Sequence, residues 1–463
     1  MNIENLLKTH PSYESNKILA DYLYRSYLGG DKYRAGEYLT HYIGEESGPG
    51  DQYRKRLAAT PLDNHVQTTV DIYRSFLFRE YPERIIGKLA DNPLVEDWLD
   101  DTDQTGQSMD SFLKSANDLA MVLGNVWILV DKPSYKVQTQ AEAEALGIRA
   151  YACVYTPQNV LDWETKRNIA GKLKLTYIKV IEHENDETMT ITLWTPDMVV
   201  KHVIAKDSNG KPNEVVGMEQ YDNPLGYVPF INHAPIKSPV NGIGQSLVSD
   251  VADNQRYIYN LLSELEQSIR ISGHPSLVKT PSTTASAGAG SIITVTEDTD
   301  PGLRPYLLQP TSASIDGILN TIDKVIEGIQ RMTHTAAVQA TRGAPMSGIA
   351  LQTERQLLNA KLGDIADTIQ ETEIALWKIW LDWQALIMPE EFEICYETTF
   401  DLRDHHSEIE LYRKALELVP TPAFRRALYT EIAKMTVDED MLEEVLAEIG
   451  IANVEIPLES GEA

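Results

Sequence analysis

Two amphipathic stripes on either side of a small, polar excursion constrain this chain more than any other feature. From Ile243 to Ile271, apolar side chains recur at Leu247, Val251, Ile258, Leu261, Leu265 and Ile269, steps that fall on one side of a helix. Gly273 and Pro275 stop it, the one as a cap and the other for want of a backbone donor. A second stripe runs from Ser312 to Thr333 through Ile315, Leu319, Ile322, Ile326, Ile329 and Met332. Helical rise predicts rods of roughly 45 and 33 Å. Their other faces carry Asn254, Arg256, Glu264, Glu266, Asp316, Asp323, Lys324 and Glu327, so such helices pack side by side and keep a polar surface.

Between the rods, Pro281 to Gly290 is too small and polar to build a core and is expected to be a mobile loop. Ser291 to Thr296 is β-branched and strand-like, Asp300-Pro-Gly302 has turn chemistry, and Leu303 to Leu308 is placed to pair back. After the second rod, Gly343, Pro345 and Gly348 argue against a helix through Ala336 to Gly348. A third long helix is expected from near Ala350, with Leu351, Leu358, Leu362, Ile365, Ile369, Leu376, Trp380 and Trp383 on its apolar side.

The chain has 463 residues and a net charge of −28, with a sequence pI near 4.7. A protein that grips DNA through its phosphates is ordinarily basic. This one repels a duplex as a whole, yet a surface that DNA slides past without sticking is compatible with that charge. The N-terminus lacks the regions of a signal peptide and no long apolar run occurs, so synthesis in the cytosol, without a membrane partner, is expected. Cys153 and Cys395 lie far apart in strand-like stretches and read as buried thiols.

Taken in order, the chain begins with an amphipathic helix through Tyr13, Leu19, Tyr22, Leu23 and Tyr27 that Gly29-Gly30 ends. Tyr53-Arg-Lys-Arg56 is the densest basic cluster and reads as a solvated helix start balanced by acidic neighbours rather than a nucleic-acid contact. A helix from Asn64 to about Glu80 follows, then one capped near Gln107 to Asp110 and ended by Gly124, then the strand Val126 to Val130. From 149 to 231 the period changes to two: Arg149–Tyr155, Leu173–Ile181, Thr188–Trp194, Val199–Ile204, Val215–Tyr221 and Tyr227–Ile231 predict an antiparallel sheet in an α+β domain. Glu391 to Phe400 is expected to return as a strand of that sheet. The tail from His405 is helical, and from Thr436 onward carries only acidic charges.

No phosphate loop, His-Glu-x-x-His, Cys-x-x-Cys or Gly-x-Ser-x-Gly occurs. Gly242-Ile-Gly244 and Gly288-Ala-Gly290 are fragments of a dinucleotide fingerprint outside any βαβ unit, so no cofactor is expected. Asp401, Asp404, His405 and His406 are metal-ligand types in a short span, more often a helix cap than a metal site. Asp100, Asp101 and Asp103 read as a solvated turn.

The order of these parts resembles the portal proteins of tailed double-stranded DNA bacteriophages. Local matches are Gly124-Asn-Val-Trp-Ile-Leu-Val130, Asn223-Pro-Leu-Gly-Tyr-Val-Pro229 and Asp250-Val-Ala-Asp-Asn-Gln-Arg-Tyr-Ile-Tyr-Asn260. The resemblance implies a mainly helical α+β fold with a wing at 1–241 continued at 351–404, and stem helices at 242–273 and 311–333. It also implies a clip at 274–310, a tunnel loop at 334–350 and an acidic helical crown at 405–463. It further implies a ring of about twelve copies at one capsid vertex. The implied partners are double-stranded DNA in the channel, the large terminase subunit, a head–tail adaptor, and the major capsid and scaffold proteins; the location is the virion, after assembly in the host cytoplasm.

By the same resemblance, Val338, Gln339, Thr341, Arg342, Gly343, Pro345 and Met346 line the channel's narrowest part, where Arg342 or Gln339 touches the DNA backbone. Lys324 and Arg331 are candidate channel charges or intersubunit ion-pair partners, and Lys279, Ile292, Ile293, Val295, Arg304 and Tyr306 are candidate clip contacts. Apolar stripes that one chain cannot cover ask for neighbouring copies, and a heterologous contact that closes makes a ring. Gly317 and Gly328 would allow close helix approach. The competing readings are a metal-dependent hydrolase using Asp401 to His406 and a helical adaptor or scaffold that forms no ring.

Overall fold

In a computed structural model the chain divides into two units, Met1–Phe400 and Asp401–Ala463. The structure describes residues 3–45, 52–133, 147–240, 242–273, 276–280, 300–308, 312–339, 348–400, 412–416, 421–437, 441 and 445–449. The fold of the first unit is α+β with antiparallel sheets.

The strand β2 (Val126–Asp131) is buried along its whole length because it separates two cores. Val126, Ile128 and Val130 face the helices, and Trp127 and Leu129 face the sheets. That alternation inside a continuous apolar run is what a strand covered on both sides requires. β2 lies between β3 (Tyr151–Tyr155) and β9 (Phe230–His233), with Ile128 opposite both Val154 and Ile231.

The helical core joins His65–Leu77, Pro93–Asp100 and Met109–Leu123 to the long helix Gly348–Gln384 through residues such as Tyr73, Trp98, Phe112, Leu362, Ile369 and Trp380. The helix starts are chemical: Asn64 Oδ1 accepts the Gln67 N–H at 2.9 Å, and Ser108 caps the next-but-one helix.

The predicted sheet is two sheets. The second is a five-stranded meander of β4 (Val160–Arg167), β5 (Leu173–Glu184), β6 (Thr188–Trp194), β7 (Met198–Lys206) and β8 (Pro212–Asp222). β4 escaped the sequence reading because Asp162, Glu164, Lys166 and Arg167 interrupt its apolar pattern. One face packs Trp163, Ile178, Val180 and Trp194 toward β2. The other packs Leu161, Ile181 and Ile191 against Leu6 and Tyr13, and the buried Lys179 Nζ donates to the Leu6 carbonyl at 3.1 Å.

Three further expectations are corrected. The strand at 391–400 does not rejoin the larger sheets: β12 (Glu393–Cys395) pairs with β1 (Glu83–Ile85). The fully buried Glu373 holds that pair, since Arg84 Nε donates to it at 2.6 Å and the Tyr396 hydroxyl at 2.5 Å. Cys395 is exposed on this strand and Cys153 is half-buried, so only the latter approaches a core thiol. Arg56 is not a solvated cation; it is buried against Glu45.

The second unit contains the helix Pro422–Thr436, which starts with proline in its first turn and buries Ala433.

Candidate functional site

The first rod is a helix from Ser249 to Gly273, so it begins later than its apolar pattern suggests. Backbone donors ahead of it are spent on tertiary contacts: Gln245 N–H reaches the Ile236 carbonyl at 3.0 Å and Leu247 N–H the Met121 carbonyl at 2.9 Å. Once started, its polar residues lock it to the N-terminal helices. Gln255 accepts from Val66 N–H at 2.9 Å and donates to the Ser26 carbonyl at 3.0 Å. Asn260 accepts from Thr40 N–H and donates to the Tyr38 carbonyl, and Ser263 Oγ takes a hydrogen bond from Arg56 at 2.9 Å.

The second rod, Ser312–Met332, has no such embrace. Ile322 and Ile329 are its buried side chains, with Ile315, Ile318, Val325 and Ile326 half-buried on the same side. The outer side carries exposed Asp316, Asp323, Lys324, Glu327 and Arg331. None of these charges has an ion-pair partner among the described residues. Leu319 and Met332 are exposed as well.

At the tip, β10 (Ser276–Val278) pairs with β11 (Tyr306–Leu308), Ser276 opposite Leu308 and Val278 opposite Tyr306. Tyr306 is 56% exposed, Arg304 and Lys279 are exposed, and Asp300 accepts the Gly302 N–H in the turn. The expected strand with Ile292, Ile293 and Val295, and the loop at 281–290, lie outside the described residues.

Past the second rod the chain turns at His334, which adopts φ 54°, and the buried Tyr73 hydroxyl donates to the Thr333 carbonyl at 2.8 Å. The short helix Ala336–Gln339 follows. Val338 is 42% exposed on it, while Thr341, Arg342, Gly343, Pro345 and Met346 lie outside the described residues, as does the side chain of Gln339. The long helix begins at Gly348, and His334 Nδ1 lies 3.6 Å from Glu354 across the gap.

Two features escaped the sequence reading. Between Gly328 and Lys361 this acidic chain carries Arg331, Arg342, Arg355 and Lys361 against the single carboxylate Glu354; a windowed charge count would have found it. Leu357 beside Arg355 is exposed. On the first rod, Tyr257 is 50% exposed although it sits in a motif whose Gln255 and Tyr259 are buried; heptad spacing was the available signal. An apolar groove of about 680 Å³ beside the end of this rod is lined by Ala59, Pro61, Leu262, Leu265, Ile269 and Gly273, among others.

The Asp401, Asp404, His405 and His406 cluster lies outside the described residues, and no metal-holding group occurs among the described ones. No described helix is long and apolar enough to cross a membrane.

No family model matches the sequence, and no curated protein matches it. Among solved structures the chain is similar to one described as "Neck of empty GTA particle computed with C6 symmetry", at 10% identity and a TM-score of 0.40, over 92% of this chain and 99% of that one. A superposition this loose leaves function to be argued from the residues.

Proposed function

We propose that this chain is a portal protein of a tailed double-stranded DNA bacteriophage, one of about twelve copies in a ring. The ring sits at one capsid vertex, passes DNA during packaging and ejection, and serves as the platform for the large terminase subunit and then a head–tail adaptor. It acts by geometry rather than by catalysis. The observation that carries the reading is the uneven burial of the two rods: the first is fastened along one side, while the second, among its described side chains, buries only Ile322 and Ile329 fully. A helix of this length with so little covered is stabilised by neighbouring copies.

Two supports are electrostatic. The overall charge of −28 keeps a duplex from adhering, and Arg342 with the exposed Arg355, in the stretch from Gly328 to Lys361 where cations outnumber carboxylates, offers weak, sequence-blind contact to phosphates in a channel. In this reading residues 334–350 belong to the tunnel loop, with Val338 to Ser347 lining the passage, and the β10–β11 tip belongs to the clip, with exposed Tyr306 and Arg304 available to the motor or adaptor.

Native mass measurement and electron images of the purified full chain test the proposal. A closed ring with a central opening is expected. A stable monomer at micromolar concentration, or assemblies without an opening, overturns it.

A further inference from the structure

The rods leave two faces uncovered, and the faces are complementary. On the first rod Asp250, Tyr257, Glu264 and Ile271 stand seven residues apart, close to two helical turns, and so form one stripe. All are exposed, and neither carboxylate has an ion-pair partner among the described residues. On the second rod Gly317, Lys324 and Arg331 repeat the spacing opposite the buried Ile322 and Ile329, with Thr321 and Gly328 beside them. A Cβ on Gly317 would meet nothing within 4 Å, and one on Gly328 only the Arg331 guanidinium at 4.0 Å.

Register relates the two stripes. The tip pairs Ser276 with Leu308, and two helices of equal rise running back from it bring Glu264 roughly level with Thr321, Tyr257 with Gly328, and Asp250 with His334. A neighbour at the same height, as in a cyclic ring, would therefore meet an aromatic side chain where the second rod is bare. Lys324 would stand within a turn of Glu264, and Arg331 between Tyr257 and Asp250.

Building on the ring reading, we infer that the Asp250–Tyr257–Glu264 stripe of one copy packs on the Lys324–Gly328–Arg331 stripe of the next. Tyr257 lies over Gly328, Lys324 pairs with Glu264, and Arg331 pairs with Asp250. Copies that each carry −28 repel one another, so their contact needs locally opposite charges, and these unpaired cations supply them. The two faces are different surfaces of one chain. The contact therefore repeats head to tail, and closes as a ring instead of ending at a dimer.

Disulfide trapping tests this in the full chain with the exposed thiol removed by Cys395→Ser. Tyr257→Cys combined with Gly328→Cys is expected to give, on oxidation, a covalent ladder that ends at one closed species, while either substitution alone gives none. A ladder that stops at dimers overturns the inference. So does the absence of cross-links in particles that native mass shows to be closed rings, and that result leaves the portal reading standing; monomers throughout, including the unsubstituted chain, sink both. Charge exchange is the second arm. Lys324→Glu with Arg331→Glu is expected to raise the concentration for half-assembly about tenfold or more, and Asp250→Lys with Glu264→Lys to restore it. No loss, or a loss that the exchange does not restore, overturns the pairing.

Discussion

Arg56 Nη2 lies 2.7 Å from Glu45 Oε2, and both side chains are withdrawn from solvent. The same guanidinium stacks over the Tyr42 ring at 3.9 Å and reaches the first rod through Ser263. The pair therefore fastens an N-terminal loop to the helix on which the assembly reading depends. Removing one partner strands the other charge away from water. Arg56→Ala is expected to lower unfolding free energy by about 3–5 kcal/mol, read by denaturant titration. Arg56→Met with Glu45→Gln should recover part of that loss, because no buried charge is then left alone.

Gly124 and Gly244 meet backbone to backbone at the entry to the first rod. A Cβ built on Gly244 would lie 1.9 Å from the Gly124 carbonyl oxygen, and Gly124 itself sits at φ 94°. Asn125 completes the contact by donating to the Gly242 carbonyl at 3.2 Å. Gly244→Ala is expected to cost more than about 3 kcal/mol, since backbone has to move. Thermal denaturation with Gly244→Ala beside the unsubstituted chain checks this; an unchanged midpoint would mean that the two segments do not touch.

This contact also shows where the sequence was legible and where it was not. Periodicity located the second rod and most strands, because one-sided burial writes itself into spacing. It overextended the first rod to Ile243 because Ile243 and Leu247 keep the helical spacing while the donors between them bond elsewhere. It had no means of pairing β12 with β1, a partnership fixed by Glu373, Arg84 and Tyr396, which are far apart in the chain. Composition likewise made Arg56 look solvated, since its partner Glu45 and the shelter of Tyr42 are tertiary facts. Of the site, the rods were visible as apolar stripes and Lys324 and Arg331 as charges on the second; the stripe through Tyr257 was present as heptad spacing, and the observed burial of Gln255 and Tyr259 shows that it is the uncovered face.

Asp131 makes stability depend on pH. Burial at the end of β2 pushes its carboxyl up to about 6, against the opposing hydrogen bond from Lys132 N–H and the nearby Lys201. A carboxyl raised above its unfolded value stabilises the fold fully at acid pH. That contribution is lost as pH rises from about 4 through about 6. Asp131→Asn keeps an acceptor for Lys132 N–H and removes the penalty, so it should stabilise at pH 7.5 by on the order of 2–3 kcal/mol and change little at pH 4. Denaturation curves at the two pH values check it; equal shifts at both would deny the burial origin.

The cations between Gly328 and Lys361 lead to a prediction about DNA. Arg355 is exposed and without an ion-pair partner among the described residues, and Arg342 is the only charge in the proposed tunnel segment Val338 to Ser347. If both touch passing phosphates, neither contributes to holding copies together. Arg342→Ala and Arg355→Ala should then leave rings intact by native mass while altering DNA filling in a packaging assay. The salt dependence of filling should also weaken, because fewer counterions are displaced when a phosphate contact is lost. Lys361 serves as the contrast: burial lowers its pKa, and it lies 5.8 Å from the Tyr73 ring centroid. Lys361→Ala should therefore reduce stability without a specific effect on salt dependence. Loss of rings with Arg342→Ala would place that residue in the contact between copies instead of in the channel.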